Sequence, residues 1–205
     1  RRQRQMCIRD SLYTLSFFSI EMENLFAKEN NFTDSYEYKG VGGIDSRGVE
    51  FEARVQLTDN LQLLGSYTYN DVEYSKSYYI FADNTYTNVV DAKGNTPYQT
   101  PGQMGSLWAD YAFKDGLLAG LTIGAGARYV GESYGSDLND FKVPSYTLFD
   151  ASVSYDFGNL GLHGTSLRVN ANNLTDEYYV ASCYSATACY LGEERSVVAT
   201  LTQKF

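Results

Sequence analysis

The sequence predicts an all-β protein whose antiparallel strands form a transmembrane β-barrel. Three observations support this prediction: apolar and polar residues alternate in eight segments spread along the chain, the polar positions hold many small or amide side chains, and long and short connections alternate between the strands. Strict alternation is typical of strands that have one apolar and one polar face. No helical period of comparable length competes with it.

The first four strands are predicted near 12–27 and in 47–57, 61–70 and 107–113. The first of these alternates less regularly than the others. In 47–57 the odd positions are Arg47, Val49, Phe51, Ala53, Val55 and Leu57, and Glu50, Glu52, Arg54 and Gln56 lie between them.

The other four strands are predicted in 121–131, 147–157, 167–172 and 197–202. The segment 147–157 alternates throughout, with Thr147, Phe149, Ala151, Val153, Tyr155 and Phe157 against Leu148, Asp150, Ser152, Ser154 and Asp156. Together the eight segments cover 78 of the 194 residues that follow residue 11.

The connections between these strands fall into two classes. The short ones are 58–60, 114–117 and 158–164, and the long ones are 28–40, 77–102, 134–144 and 175–192. If consecutive strands are antiparallel neighbours, all short turns lie at one end of the sheet and all long loops at the other. Outer-membrane barrels have this asymmetry, with short periplasmic turns. It also predicts a periplasmic C-terminus.

The polar face distinguishes a membrane barrel from a soluble β-sandwich. It is rich in Asn, Ser, Thr, Gly, Asp and Arg, which suits a water-filled or plugged lumen. Apolar faces end in Tyr or Phe at several strand termini, as aromatic girdles do, although such aromatics also occur in the core of a sandwich. The formal net charge of -9 argues against nucleic acid as a partner.

Residues 1–11 read RRQRQMCIRDS and differ in composition from the rest of the chain. We interpret them as translated sequencing-adaptor read-through and assign 12–205 to the barrel. A basic arm, or the first part of a signal peptide, is the alternative.

The chain resembles the C-terminal part of TonB-dependent outer-membrane receptors, most of all the ferrichrome and ferrioxamine (hydroxamate siderophore) branch. The resemblance is carried by IDSRGVEFEARVQLTDNLQLLGSYTYND at 44–71, PGQMGSLWADYAF at 101–113, LTIGAGARYVGESYG at 121–135, FKVPSYTLFDASVSYDF at 141–157, NNLTDEYYVASC at 172–183 and GEERSVVATLTQKF at 192–205. The two cysteines that follow YVAS point to the hydroxamate branch.

This resemblance implies a 22-stranded barrel closed by an N-terminal plug, of which the chain would hold the last eight strands. The plug and the TonB-binding segment would then be missing, so the chain alone would transport nothing. The expected ligand is a ferric hydroxamate siderophore, whose iron is held by the chelator. The expected partners are that siderophore, the TonB–ExbB–ExbD complex through the missing N-terminal region, the barrel-assembly machinery and outer-membrane lipid.

The resemblance also assigns roles to five residues. It implies a disulfide between Cys183 and Cys189, although two inert buried thiols are the alternative. Tyr184 follows the first cysteine and Tyr190 the second, and both are candidate siderophore contacts or ordinary exposed loop tyrosines. Phe205 resembles the C-terminal signal read by the barrel-assembly machinery. The pattern departs from the family at Gln203, where an apolar residue is usual.

We expect no catalytic residues, metal site or resident cofactor. His163, the one histidine, lies in a predicted short turn without an acid–base partner nearby in sequence, so a barrel-embedded hydrolase has little support. A second hypothesis is a self-contained eight-stranded outer-membrane barrel with a structural or adhesive role.

Overall fold

The computed structural model describes residues 2–7, 11–28, 38–81 and 89–204. Phe205 and residues 29–37 of the first long connection lie outside these ranges, so the role predicted for Phe205 stays a prediction. The strands are β1 (Arg2–Cys7), β2 (Ser11–Lys28), β3 (Tyr38–Gln56), β4 (Leu61–Tyr74), β5 (Tyr79–Phe81), β6 (Val89–Asp91), β7 (Gln103–Ala112), β8 (Leu121–Val130), β9 (Ser133–Tyr134), β10 (Lys142–Val143), β11 (Tyr146–Asp156), β12 (Thr165–Asn172), β13 (Val180–Ser185), β14 (Ala188–Leu191) and β15 (Ser196–Gln203). Two 3-10 turns, Gly116–Leu118 and Phe157–Leu160, lie in short connections.

Eight of these strands form one antiparallel sheet in the order β15-β12-β11-β8-β7-β4-β3-β2. They are the eight strands that the alternation predicts, and each pairs with its neighbour in the chain. The sheet is an open piece of a barrel wall, because within the described residues β15 pairs with β12 alone. The other edge strand, β2, also pairs with β1 and, through Lys28, with β5.

The connections follow the predicted asymmetry. The segments 57–60, 113–120 and 157–164 join strands at one end of the sheet, and 75–102, 131–145 and 173–195 join them at the other. The last strand ends beside the short connections, because Gln203 pairs with Thr165. Alternation failed to predict three hairpins inside the long connections, namely β5–β6, β9–β10 and β13–β14.

The register gathers apolar side chains on one face of the sheet. Across three successive strands Leu107 pairs with Ala127 and Ala127 with Phe149. Leu107 and Phe149 are 58% and 47% exposed, so this face is a wide apolar surface whose exposure to water would be unfavourable. The edge-to-face pairs Tyr111–Phe113 and Tyr155–Phe157 lie where β7 and β11 reach the short connections, as expected for an interfacial girdle.

The opposite face is polar. The hydroxyls of Ser66 and Ser106 lie 2.7 Å apart on adjacent strands, and Arg128 pairs with Asp150 farther along the sheet. The face therefore has the composition expected of a lumen wall.

Trp108, the one tryptophan of the sequence, lies on this polar face against two glycines of β8. A Cβ on Gly124 would come 2.6 Å from Trp108 Cζ2, and a Cβ on Gly126 would overlap Trp108 Cε3. The glycines thus leave the space that the indole ring fills.

No helix in the described part of the chain is long and apolar enough to cross a membrane.

We predict that Gly126→Ala destabilises the sheet by about 1–3 kcal/mol, the usual cost of overpacking. The added Cβ would meet Trp108 and come 2.5 Å from the Leu107 carbonyl oxygen, a backbone atom of the neighbouring strand that cannot rotate away as the end of a side chain can. The measurement is the midpoint of heat unfolding of the detergent-solubilised protein.

The matched control is Gly65→Ala, whose Cβ would have ordinary contacts at 3.7 Å with Leu107 Cδ1 and the Ser106 carbonyl oxygen. Its midpoint should stay close to that of the unsubstituted protein. Equal midpoints for the two variants would show that the packing of Trp108 does not require the space left by Gly126.

Candidate functional site

Four of the five residues with predicted roles lie on the hairpin formed by β13 and β14, at the end of the sheet that carries the long connections. Its register places Cys183 opposite Cys189 and Ser182 opposite Tyr190. A disulfide joins Cys183 to Cys189, and Cys183 is 3% exposed. The bond closes a seven-residue tip and keeps the two strands of the hairpin together.

Tyr184 and Tyr190 come together on this hairpin. Their ring centroids are 6.0 Å apart with a 40° angle between the ring planes. They are 53% and 58% exposed, so each ring presents much of its surface to the solvent. Such a pair offers an apolar contact surface with a hydroxyl at each rim, which suits a compact ligand with both apolar and polar parts.

The base of the hairpin is held by Asn173, which follows the last residue of β12. Its backbone has a φ of 50°, a left-handed conformation that Asn tolerates, and its side chain is buried. Asn173 Nδ2 donates to the carbonyl oxygens of Glu177 and Glu193, at 2.9 and 3.1 Å. Its Oδ1 accepts from Glu177 N–H at 2.8 Å. The NNLTDEYY motif at 172–179 therefore forms the closed foot of the loop.

Asp150 of β11 connects this foot to the sheet. Its Oδ1 accepts from Asn173 N–H and from Arg128 Nη2, both at 3.0 Å, and its Oδ2 accepts from Arg128 Nε at 2.5 Å. A bidentate guanidinium fixes the orientation of a carboxylate as well as its charge. The Asp150 side chain therefore points at the foot of the loop.

A cleft of about 240 Å³ lies beside this connection on the polar face of the sheet. Arg128, Tyr146 and Tyr179 line it together with Ser66 and Ser106. The rings of Tyr146 and Tyr179 are 4.2 Å apart. Because Tyr179 belongs to the foot, the first part of the 173–195 connection lies on the polar side of the sheet.

The other two long connections in the described part of the chain, 75–102 and 131–145, are docked against each other. Asp137 Oδ1 accepts from Tyr74 Oη at 2.9 Å and from Tyr98 N–H at 3.1 Å, and its carbonyl accepts from Asn95 Nδ2. Asn139 exchanges two further hydrogen bonds with the Thr96 backbone. The two connections thus form one unit.

Tyr74 lies at the end of β4, beyond the span of about ten residues that a membrane strand needs. Burial raises the pKa of its phenol above the ordinary value, and the neighbouring Asp137 carboxylate raises it further. The phenol therefore remains protonated, and a donor to Asp137, throughout the neutral range.

Sequence reasoning missed the residues that hold these loops. Asp150 and Arg128 appear only as polar positions in alternating strands, and Asp137 as one acid in a polar loop. The available signal was in the quoted motif, since an Asn directly after a predicted strand often adopts a left-handed conformation. Within the described ranges no three His, Cys, Asp or Glu side chains are grouped to hold a metal ion.

We predict that Asp137→Ala separates the connections 75–102 and 131–145. The change leaves the buried Tyr74 hydroxyl without its acceptor, which typically costs about 1–3 kcal/mol. Amide hydrogen exchange in residues 92–100 should then become roughly tenfold faster or more.

The matched control for this prediction is Asp140→Ala in the same connection. Asp140 accepts from Ser136 within its own loop, so exchange in residues 92–100 should be unchanged. The same exchange rate in both variants would contradict the role of Asp137.

Comparison with known proteins gives a consistent result. A family profile described as "TonB dependent receptor-like, beta-barrel" matches residues 8–174. The chain is 50% identical over 164 residues to the ferrichrome outer membrane transporter/phage receptor of Escherichia coli, covering 80% of this chain and 20% of that protein. It is 39% identical over 196 residues to the ferrioxamine B receptor of Salmonella typhimurium, covering 96% and 26%.

The fold is also similar to that of a solved structure. The siderophore receptor PiuA from Acinetobacter baumannii superposes with a TM-score of 0.78 at 28% identity, covering 99% of this chain and 27% of that one. This chain thus spans about a fifth to a quarter of the length of these relatives. It belongs to the family of TonB-dependent receptor β-barrels, which are proteins of the bacterial outer membrane.

Proposed function

We propose that this chain is the C-terminal part of the barrel of a receptor that takes up ferric hydroxamate siderophores. The observation that carries the proposal is the exposed Tyr184–Tyr190 pair on a disulfide-closed hairpin at the long-loop end. The two relatives named above support the hydroxamate class, because ferrichrome and ferrioxamine are siderophores of that class.

The chemistry of the ligand explains why tyrosines suit it. In a ferric hydroxamate the chelator already occupies the coordination sites of the iron, so the receptor recognises the shape and surface of the complex. Aromatic rings give a large contact area at a small cost in conformational entropy. The iron is therefore cargo held by the chelator, and the proposal requires no metal ligand from the protein.

The remaining parts of the receptor lie outside this chain in the proposal. The plug and the segment that binds the TonB–ExbB–ExbD complex would precede it, and most siderophore contacts would come from the plug and earlier loops. The apolar face that includes Leu107 and Phe149 would contact outer-membrane lipid, and Phe205 would be read by the barrel-assembly machinery. The receptor is proposed to transport without catalysis.

The self-contained eight-stranded barrel is less well supported. The relatives are several times longer than this chain, and the described part of the sheet leaves one edge of β15 unpaired. An open edge exposes backbone donors and acceptors that lipid cannot satisfy. Further strands of the same chain would satisfy them.

Sequencing the source DNA upstream of the codon for residue 11 tests whether residues 1–11 are read-through and whether the native protein is a longer receptor. We expect an open reading frame that continues into further strands, a plug and a signal peptide, with RRQRQMCIRDS absent from the native DNA. A native start codon in front of RRQRQMCIRDS would contradict the proposal and favour the small barrel. In the structure, residues 2–7 form β1 and pair with β2. In the proposal, a preceding strand of the native barrel would pair with this edge of β2 instead.

We predict that Tyr184→Ala in the full-length receptor weakens ferrichrome or ferrioxamine B binding by about two- to tenfold. This range corresponds to the roughly 0.5–1.5 kcal/mol of one aromatic contact. Tyr184→Phe keeps the ring and should retain most of the affinity. The measurement is a titration of purified receptor with the ferric siderophore.

Tyr178→Ala is the matched control, because Tyr178 is an exposed tyrosine of the same loop outside the hairpin. Its affinity should equal that of the unsubstituted receptor. Unchanged affinity in Tyr184→Ala would remove Tyr184 from the site. A receptor that binds ferric catecholates and neither hydroxamate would overturn the substrate class.

A further inference from the structure

We propose that Asp150 and Asn173 are positioning residues for siderophore binding, which fix the β13–β14 hairpin, and with it Tyr184, relative to β11. The inference rests on the proposed function. It adds that the orientation of the hairpin is set by two residues of the barrel wall that do not contact the ligand.

The sheet ends unevenly at this point. β12 stops at Asn172, whereas its neighbour β11 extends to Tyr146, four residues past Asp150. Two hydrogen bonds continue the contact where the ladder stops, from Asn173 N–H to the Asp150 carboxylate and from Leu174 N–H to the Phe149 carbonyl oxygen at 2.6 Å. The start of the loop is thereby attached to a rigid strand.

Asn173 then joins the two legs of the loop. Its Nδ2 binds Glu177, on the leg that enters the hairpin, and Glu193, on the leg that leaves it. Because its Oδ1 is also occupied, every hydrogen-bonding group of this side chain is used at the foot. A single amide therefore sets the separation of both legs.

Further contacts carry this constraint toward the hairpin. Arg195 N–H donates to Asp176 Oδ1 at 2.9 Å, and Gly192 N–H donates to the Tyr179 carbonyl oxygen at 2.9 Å. The Tyr179 ring lies against Gly192 so closely that a Cβ there would overlap it. The hairpin begins one residue later, at Val180, where it pairs with Leu191. Foot and hairpin therefore move together.

Burial separates the positioning residues from the contact residues. Asn173 is 2% exposed and the Asp150 side chain 11%, whereas the two hairpin tyrosines are more than half exposed. A ligand at the hairpin reaches the rings and not the amide or the carboxylate. Arg128 neutralises Asp150 and holds both of its oxygens, which keeps a nearly buried carboxylate charged and oriented.

The test uses Asn173→Asp in the full-length receptor. Aspartate tolerates the left-handed backbone and keeps the acceptor for Glu177 N–H, but it loses both donations to the legs and adds a charge beside Asp150. The matched control is Asp110→Asn, a carboxylate-to-amide change on the polar face two residues from the short-connection end of β7. Asp150→Asn and Asn173→Gly are the second variants should Asn173→Asp fail to assemble in the outer membrane.

Two readouts are needed. Without ligand, amide exchange in residues 180–191 should accelerate roughly tenfold in Asn173→Asp and remain unchanged in Asp110→Asn. With ferrichrome as the probe, the Kd should rise by about the factor seen for Tyr184→Ala. The double variant should bind no more weakly than Asn173→Asp alone, because a displaced hairpin no longer presents Tyr184 to the ligand.

Unchanged exchange in 180–191 or an unchanged Kd would overturn the positioning role, and so would strictly additive effects if Tyr184→Ala alone weakens binding. Failure of the proposed contact gives a different result, in which Tyr184→Ala by itself leaves the Kd unchanged. In that case, faster exchange together with a weaker Kd in Asn173→Asp still supports positioning, with another part of the hairpin as the contact.

Discussion

The need to pair every backbone polar group inside the lipid bilayer governs this structure. Lipid offers no hydrogen-bond partners, so a spanning strand must satisfy its N–H and C=O groups on neighbouring strands. The eight long strands meet this need by pairing in chain order, each antiparallel to the next. Once the ladder is formed, the period of two decides which side chains face lipid, and a slip of one residue would reverse both faces.

Outside the bilayer this constraint ends, and side-chain hydrogen bonds supplement the short hairpins of the long connections. In two places a single carboxylate takes over. Asp150 receives the backbone N–H of Asn173 beyond the end of β12, and Asp137 receives that of Tyr98 in the neighbouring long connection. Each carboxylate also binds a side-chain donor, Arg128 in the first case and Tyr74 in the second. The long connections are therefore ordered by a few charged or polar groups together with a few buried apolar side chains, such as Ala92 and Val143.

This difference explains what the sequence could predict. All eight strands and the sorting of their connections followed from alternation, because lipid imposes the same two-residue period on each strand. The hairpins β5–β6, β9–β10 and β13–β14 were missed. Five of their strands have only two to four residues, too few for a period to be recognised, and β13, which has six, reads VASCYS and does not alternate regularly. Asp137 and Asp150 were also missed as loop anchors. Their partners are 63 and 23 residues away, at Tyr74 and Asn173, and no local pattern reports such a pairing.

The position of the anchors follows from the two faces of the wall. An ion pair such as Arg128–Asp150 is tolerated on the polar face, whereas an Arg or Lys on the lipid face costs about 2–4 kcal/mol near the middle of the bilayer. A loop that is fastened to the strands by charged groups is therefore fastened on the lumen side. Tyr179 illustrates the consequence, since its ring lies in the cleft beside Arg128 and Tyr146. The chemistry that lets a barrel cross lipid thus also places the start of the 173–195 connection on the polar side of the wall.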